Sequence, residues 1–268
     1  MVGTCSRDPE WKRAFVGYLN EEREVTGDLF PPMALSTVDL DGRPAVRMIT
    51  PRGFVGDGFL RICEKDQGQW TSDVLTLCTH AKSNKVHELV NTNDVQLVAY
   101  LPHTRIQVRL GGNASLLFHP DNPNYSTLSL DMRQRVWPRD DADGGDNEAN
   151  SAAVRDPTAL VNNSCDAELD VEYIREQAYL HHAPATQAWY SWPPPGKARG
   201  ADPSLYPTEI SNIKDKAERE KYEANARRNY VLVFVDVNKV DIVDLNRSTR
   251  KIYTRRGDTT WSAQNVNP

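Results

Sequence analysis

The chain has 268 residues, 39% of them hydrophobic and 26% charged, with 32 Lys and Arg against 37 Asp and Glu for a formal net charge of -5. A chain of that length and apolar content buries a core of its own, and its mild acidity removes any overall electrostatic case for a nucleic-acid partner. No run reaches the roughly 18 to 20 apolar residues of a membrane span, and the opening MVGTCSRDPEWKRAF lacks the apolar centre of a secretory signal, so a cytoplasmic protein with no membrane partner is expected. Cys5, Cys63, Cys78 and Cys165 are scattered and form no CxxC pair, which argues against a zinc knuckle or a disulfide framework and for reduced thiols.

In chain order, residues 11–25 place Trp11, Phe15, Tyr18 and Leu19 at helical spacing and predict an amphipathic helix. Pro31-Pro32 stops it. MALSTV (33–38) and AVRMIT (45–50) flank Asp41-Gly42, a hairpin turn pair, so strand, turn, strand follows. DVLTLCT (73–79) reads as another strand, and NKVHELVN (84–91) switches to helical spacing with Ser83 at the N-cap position. VQLVAYL (95–101) and RIQVRLGGNASLL (105–117) are strands, the second with Gly111-Gly112 where a bulge fits.

From 119 to about 167 the pattern fails, and RDDADGGDNE (139–148) is acidic and almost free of apolar residues, which predicts a flexible insertion. Its blandest use would be as a protein-interaction segment. Helical spacing resumes at 169–180, WPPPG (192–196) opens an irregular stretch, and 208–228 reads as a charged, solvated helix. YVLVFV (230–235), VDIVDL (240–245) and KIYTR (251–255) are three closing strand candidates. With no internal repeat, this is a mainly β (α+β) chain: six to eight antiparallel strands in a barrel with a few peripheral helices.

The stretch LCTHAKSNKVHELV (77–90) gathers a cysteine, two histidines and two lysines. A metal site is disfavoured, because His80 and His87 are seven residues apart on different predicted elements with no third ligand at zinc spacing. A Cys78 nucleophile lacks any visible group to depress its thiol pKa. An anion site has a physical cause: a strand ending in Thr79, a tight turn and a helix opening at Ser83 aim backbone N–H groups at one spot, where Lys82 and Lys85 add charge. On this stretch alone it stands level with an ordinary surface helix start. VRMITPR (46–52) tips the balance, since Arg47 enters an otherwise apolar strand pattern, alternating with Met48; a rim salt bridge would account for it alone, but two basic elements on neighbouring strands can share one anion. Gln107 would add an inward amide able to bond a heterocycle.

R-M-I-T-P-R (47–52), C-T-H-A-K-S-N-K (78–85) and R-I-Q-V-R (105–109), in this order, resemble the pyridoxamine 5'-phosphate oxidase-like family, whose fold is an FMN-binding split β-barrel. R-K-I-Y (250–253), Trp261 and the closing proline are similar to that family's ending, and AWYSWPPPG (188–196) resembles a branch in which a W-P-x-P-G run follows the central strands. The resemblance spans nearly the whole chain outside the insertion. It implies a single domain over 1–268, with FMN held at a homodimer interface.

By this likeness Arg47, Ser83 and Lys85 would contact the FMN phosphate, Met48, Ile49 and Thr50 would run along the flavin, Cys78 and Thr79 would lie beside it, and Gln107 would face the isoalloxazine. Arg250 would approach across the dimer interface, and Arg52 or Arg250 would stabilise the anionic reduced ring. Asn84 stands where the family has an arginine, and Lys82 could supply that charge from the turn. On the substrate side LHHAPATQ (180–187) replaces an R-x-x-x-S arrangement, and Asn246 and Ser248 stand in the places of an arginine and a histidine. The expected activity is therefore FMN-dependent oxidation or reduction of a small organic substrate other than pyridoxamine 5'-phosphate, with no metal; no residue stands out as an obligate general base, and His181 and His182 are candidates set against a reading as exposed polar residues. The alternative is a split barrel that carries a flavin or haem and catalyses nothing.

Overall fold

A computed structural model describes residues 7–27, 30–122, 132–139, 169–257 and 260–268. Helix α1 (Glu10–Thr26) begins after Pro9 and ends on Gly27, whose φ of 78° lets its amide turn back onto the Arg23 carbonyl. It buries Trp11, Phe15 and Leu19, the face that its spacing predicts. β1 (Met33–Val38) and β2 (Pro44–Ile49) form the expected antiparallel hairpin, in which Asp39 Oδ1 accepts from the amides of Asp41 and Arg43 to set the turn.

Two short strands, β3 (Gly53–Phe54) and β4 (Trp70–Ser72), precede β5 (Val74–His80). Helix α2 (Asn84–Asn91) follows, then β6 (Asp94–Leu101) and β7 (Ile106–Leu117). The bulge anticipated at Gly111-Gly112 is present: the β7 register shifts there, and a Cβ on Gly112 would lie 2.3 Å from the Asp236 carbonyl oxygen.

β8 (Val136–Pro138), inside the predicted insertion, pairs with β4. The insertion is thus partly built into the fold, held by Arg135 against Asp73 and by Arg139 against Asp57. Its acidic stretch from residue 140 onward lies outside the described residues, as do Cys5 and Cys165. Helices α3 (Val171–Leu180), α4 (Pro184–Trp189) and α5 (Lys216–Asn229) come next. The charged helix starts eight residues later than its composition indicates, at the Asp215 cap, and α4 lay unread inside LHHAPATQ.

The last strands are β9 (Tyr230–Asp244), β10 (Thr249–Arg255) and β11 (Trp261–Val266). Residues 230–235 and 240–245, expected as two strands, belong to the single fifteen-residue β9. The mainly antiparallel β architecture is as expected, but the described residues form eleven strands rather than six to eight, nine of them in the main sheet, ordered β11-β10-β9-β7-β6-β1-β2, with β5 on β9 and β3 on β5. β9 is the seam: residues 230–236 pair with β5, residues 239–244 with β10, and β7 runs beside nearly all of it.

That position explains YVLVFV. Val231, Val233 and Val235 enter one core with Trp11, Phe15, Leu77, Leu97 and Val108, while Tyr230, Leu232 and Phe234 enter a second with Ile62, Ile174, Tyr179 and Tyr190. A strand buried on both faces cannot alternate polar with apolar, which is why the run is continuous. Below the first core, Lys12 is fully buried and bonds Asp8 (3.2 Å), Thr71 (2.6 Å) and Asp57 (3.0 Å), pinning α1 to the β4 segment.

Candidate functional site

Four of the residues singled out above converge where β5 runs into α2. Thr79, next to the last residue of β5, shares a hydrogen bond with Ser83 Oγ at 2.9 Å, and Lys85 Nζ donates to Thr79 Oγ1 at 3.0 Å. Arg47 reaches the same region from β2, near enough that its charge, after burial, helps to lower the Lys85 pKa. Among the described residues, Lys85 has no ion pair, and two facing cations beside two hydroxyls form a site that favours an anion.

The turn itself differs from the expectation that its amides stand free. His80 Nδ1 accepts from the Lys82 amide at 3.0 Å, and the His80 carbonyl accepts from the Ser83 amide at 2.9 Å. Burial, then the neighbouring Lys82, lowers the His80 pKa to about 4, so the ring is neutral and able to accept. His80 therefore builds the turn. Ser83 caps α2 by position without a side-chain cap bond, its hydroxyl being committed to Thr79.

Sequence reasoning missed Glu88. Its Oε2 accepts from Arg47 Nη2 at 2.5 Å and from the Thr37 hydroxyl at 2.5 Å, while Arg47 Nη1 donates to that same hydroxyl. The signal was available, because Lys85 and Glu88 are three apart on one helix and must share a face. Lys82 lines a separate cavity of about 530 Å³ together with Trp192, Lys221, Tyr222 and Arg228.

A second constellation sits on the other face of β5. Cys78 Sγ lies 3.2 Å from His182 Nε2, and Arg52 Nη1 lies 3.2 Å from His182 Nδ1. A guanidinium can only donate, so Nδ1 is the acceptor and the imidazole proton resides on Nε2, facing the sulfur. Burial, then Arg52, lowers the His182 pKa to about 4, and burial pushes the Cys78 thiol up. The group thus holds a neutral imidazole and a protonated thiol. Arg52 Nε and the Tyr230 hydroxyl nearby are buried with no hydrogen-bond partner among the described residues. His182 is brought here by the α3–α4 corner, while His181 stacks on Phe59 at 3.7 Å.

Met48 and Thr50 are exposed and Ile49 packs toward the first core, as the alternation predicts. β2 ends the sheet order, so its outer backbone edge carries no strand among the described residues. Asn84, at the first position of α2, is exposed. Gln107 points away from the barrel interior that Ile106 and Val108 fill, contrary to the inward amide expected, and with its amide oriented to satisfy both groups it accepts from Arg109 at 2.9 Å.

Arg250 donates to both Asp241 oxygens, at 2.9 and 2.8 Å. It and Gln107 both register with Val243, so the two lie in one row across β7, β9 and β10. Thr79 registers with Val231, twelve residues back along β9, whereas Arg47 registers through Leu35, Leu97 and Leu110 with Val240, three residues from Val243. Arg250 and Gln107 are bonded to Asp241 and Arg109 and not to the cluster.

Residues 8–118, which hold Arg47, Arg52, Cys78, Thr79, Ser83, Lys85 and Gln107, match the family model described as the pyridoxamine 5'-phosphate oxidase FMN-binding domain. This segment carries the likeness to the pyridoxamine 5'-phosphate oxidase-like family. A curated relative, pyridoxine/pyridoxamine 5'-phosphate oxidase 2 of Arabidopsis thaliana, is 24% identical over 127 residues, 47% of this chain and 54% of the relative, so the chain spans about half the length of the curated relative it matches. A solved pyridoxamine 5'-phosphate oxidase-related FMN-binding protein from Nostoc punctiforme superposes with a TM-score of 0.61 at 21% identity, over 97% of this chain and 98% of that one. The oxidase-like fold therefore extends past the matched segment to β9, β10 and β11.

Proposed function

We propose that this chain binds FMN and uses it to oxidise or reduce a small organic molecule other than pyridoxamine 5'-phosphate. The observation that carries the reading is the meeting of Arg47, Thr79, Ser83 and Lys85 where β5 runs into α2, a cationic, hydroxyl-lined grip beside the open edge of β2. Those four would hold the phosphate, and the backbone and side chains of Met48, Ile49 and Thr50 would line the ring. Bound there, the flavin would supply the transfer of a hydride or of electrons. Arg52 places a permanent positive charge on the far side of β5, suited to a ring edge that becomes anionic on reduction.

His182 supports the narrowing of the substrate. His182 Nδ1 takes one Arg52 donor while its Nε2 faces Cys78, so a neutral ring rather than a cation stands beside Arg52. A neutral imidazole with its proton on Nε2 can instead donate to, or relay a proton toward, an uncharged substrate.

Gln107 and Arg250 enter this reading only through a second copy of the chain. Their row shares the outer sheet face with exposed Val46 and Met48 and half-exposed Tyr100, an apolar face that a homodimer would cover. The testing measurement is an absorbance spectrum of the purified protein after FMN addition and desalting, before and after reductant, with size-exclusion chromatography alongside. Retained flavin bands that bleach on reduction in a dimeric species are expected; a colourless protein that takes up no FMN refutes the flavin reading, and retained flavin that no donor reduces refutes the enzyme.

A further inference from the structure

We propose that Glu88 is a built-in counter-charge that sets how tightly the phosphate grip holds, an inference that rests on the FMN reading above. Arg47 is committed before any ligand arrives: one guanidinium nitrogen donates to Glu88 Oε2 at 2.5 Å and the other to Thr37, whose hydroxyl bonds the same carboxylate. Glu88 is 7% exposed and its charge also reaches Lys85, so one carboxylate faces both cations.

Arg47 and Lys85 against Glu88 leave the grip with one net positive charge, whereas a phosphomonoester brings roughly -1.5 to -2 near neutral pH. The neighbouring residues do not correct the shortfall. Asn84 is uncharged, and the remaining lysine of the turn, Lys82, lines a different cavity. The phosphate is therefore only partly neutralised, ring contacts carry a larger share of the affinity, and FMN is favoured over riboflavin by less than two free cations would achieve. Glu88 is a specificity-determining residue, and the flavin it leaves behind is an exchangeable one.

The test is a fluorescence titration of FMN and of riboflavin against the full chain, Glu88→Gln and Asn84→Arg at low and raised salt. Gln keeps an oxygen for Arg47 and Thr37 while removing the charge, so Glu88→Gln should tighten FMN by about tenfold, with a steeper salt dependence. Riboflavin, which has no phosphate, should be unmoved. Asn84→Arg places a cation one helical turn before Glu88, on the pocket that both residues line, and by offsetting that carboxylate should also tighten FMN, which keeps the idea testable if the buried substitution fails to fold. FMN binding by Glu88→Gln that is equal to or weaker than that of the natural chain would overturn the inference and leave Glu88 a positioning residue for Arg47. Failure of folded Asn84→Arg to tighten FMN would overturn it as well. A natural chain that takes up neither flavin would instead remove the FMN reading on which it rests.

Discussion

Acid should destabilise this protein before its carboxylates account for the loss, and two buried histidines are the reason. His80 and His182 have folded-state pKa values lowered from 6.5 to about 4, each chiefly by burial. Between those two pH values the unfolded chain takes up protons that the folded chain refuses, so stability is fully present above pH 6.5 and is lost as pH falls through 4. A displacement of that size corresponds to about 3 kcal/mol per histidine. Asp73 acts in the opposite sense: burial raises its pKa to about 6 against the pull of Arg135, so protonating it favours the folded state as pH falls from 6 toward 3.8, by about 3 kcal/mol. The three together predict a net loss of about 3 kcal/mol between pH 7 and 4. Urea unfolding followed by tryptophan fluorescence at pH 7, 5.5 and 4 measures it. His182→Gln, which retains a donor and an acceptor near Cys78 and Arg52, should remove most of the pH dependence whatever its effect at pH 7. A His182→Gln variant that loses as much stability as the natural chain between pH 7 and 4 would refute the reasoning.

Two further outcomes follow from the framework around the site. Lys12→Ala removes a buried ammonium from between Asp8 and Asp57 and leaves Asp57, whose carboxyl burial already pushes up, facing Arg139 alone; a loss of about 3 to 5 kcal/mol is expected in the same urea assay. Gly112→Ala drives a methyl into the Asp236 carbonyl, where both strands are fixed by their neighbours, and should cost about 1 to 3 kcal/mol, whereas Gly111→Ala, with nothing closer than 3.7 Å, should cost little.

What was legible in the sequence was what local chemistry decides. The α2 boundaries, its Ser83 start and the Gly111-Gly112 bulge each depend on residues within a few positions, and they stand where spacing places them. The meeting of Arg47 with the Thr79–Lys85 turn was legible because Arg47 interrupts an apolar strand and Lys85 follows a strand-to-helix turn. β9 was not, because Asp236, Asn238 and Lys239 look like a break; they sit where the strand passes from one set of neighbours to the other, with Asp236 held by Arg255 and Arg135. The contact of His182 with Cys78 was equally hidden, since it joins residues 104 positions apart through a helix that LHHAPATQ does not announce. The inward amide expected of Gln107 fails because Gln107 and Arg109 fall on the face of β7 opposite buried Ile106 and Val108.

The seam strand also dictates an order of assembly. β5 and β7 emerge more than a hundred residues before the strand that joins them, and until residue 230 is available neither the cluster around Leu77 and Val108 nor the one around Ile174 and Tyr179 has its shared wall. Both must wait for the same segment, so a nascent chain displays apolar surface from two cores at once and closes them together. The grip at Thr79 and Lys85 inherits that delay, because the β5 end that carries it is fastened only when Thr79 finds Val231.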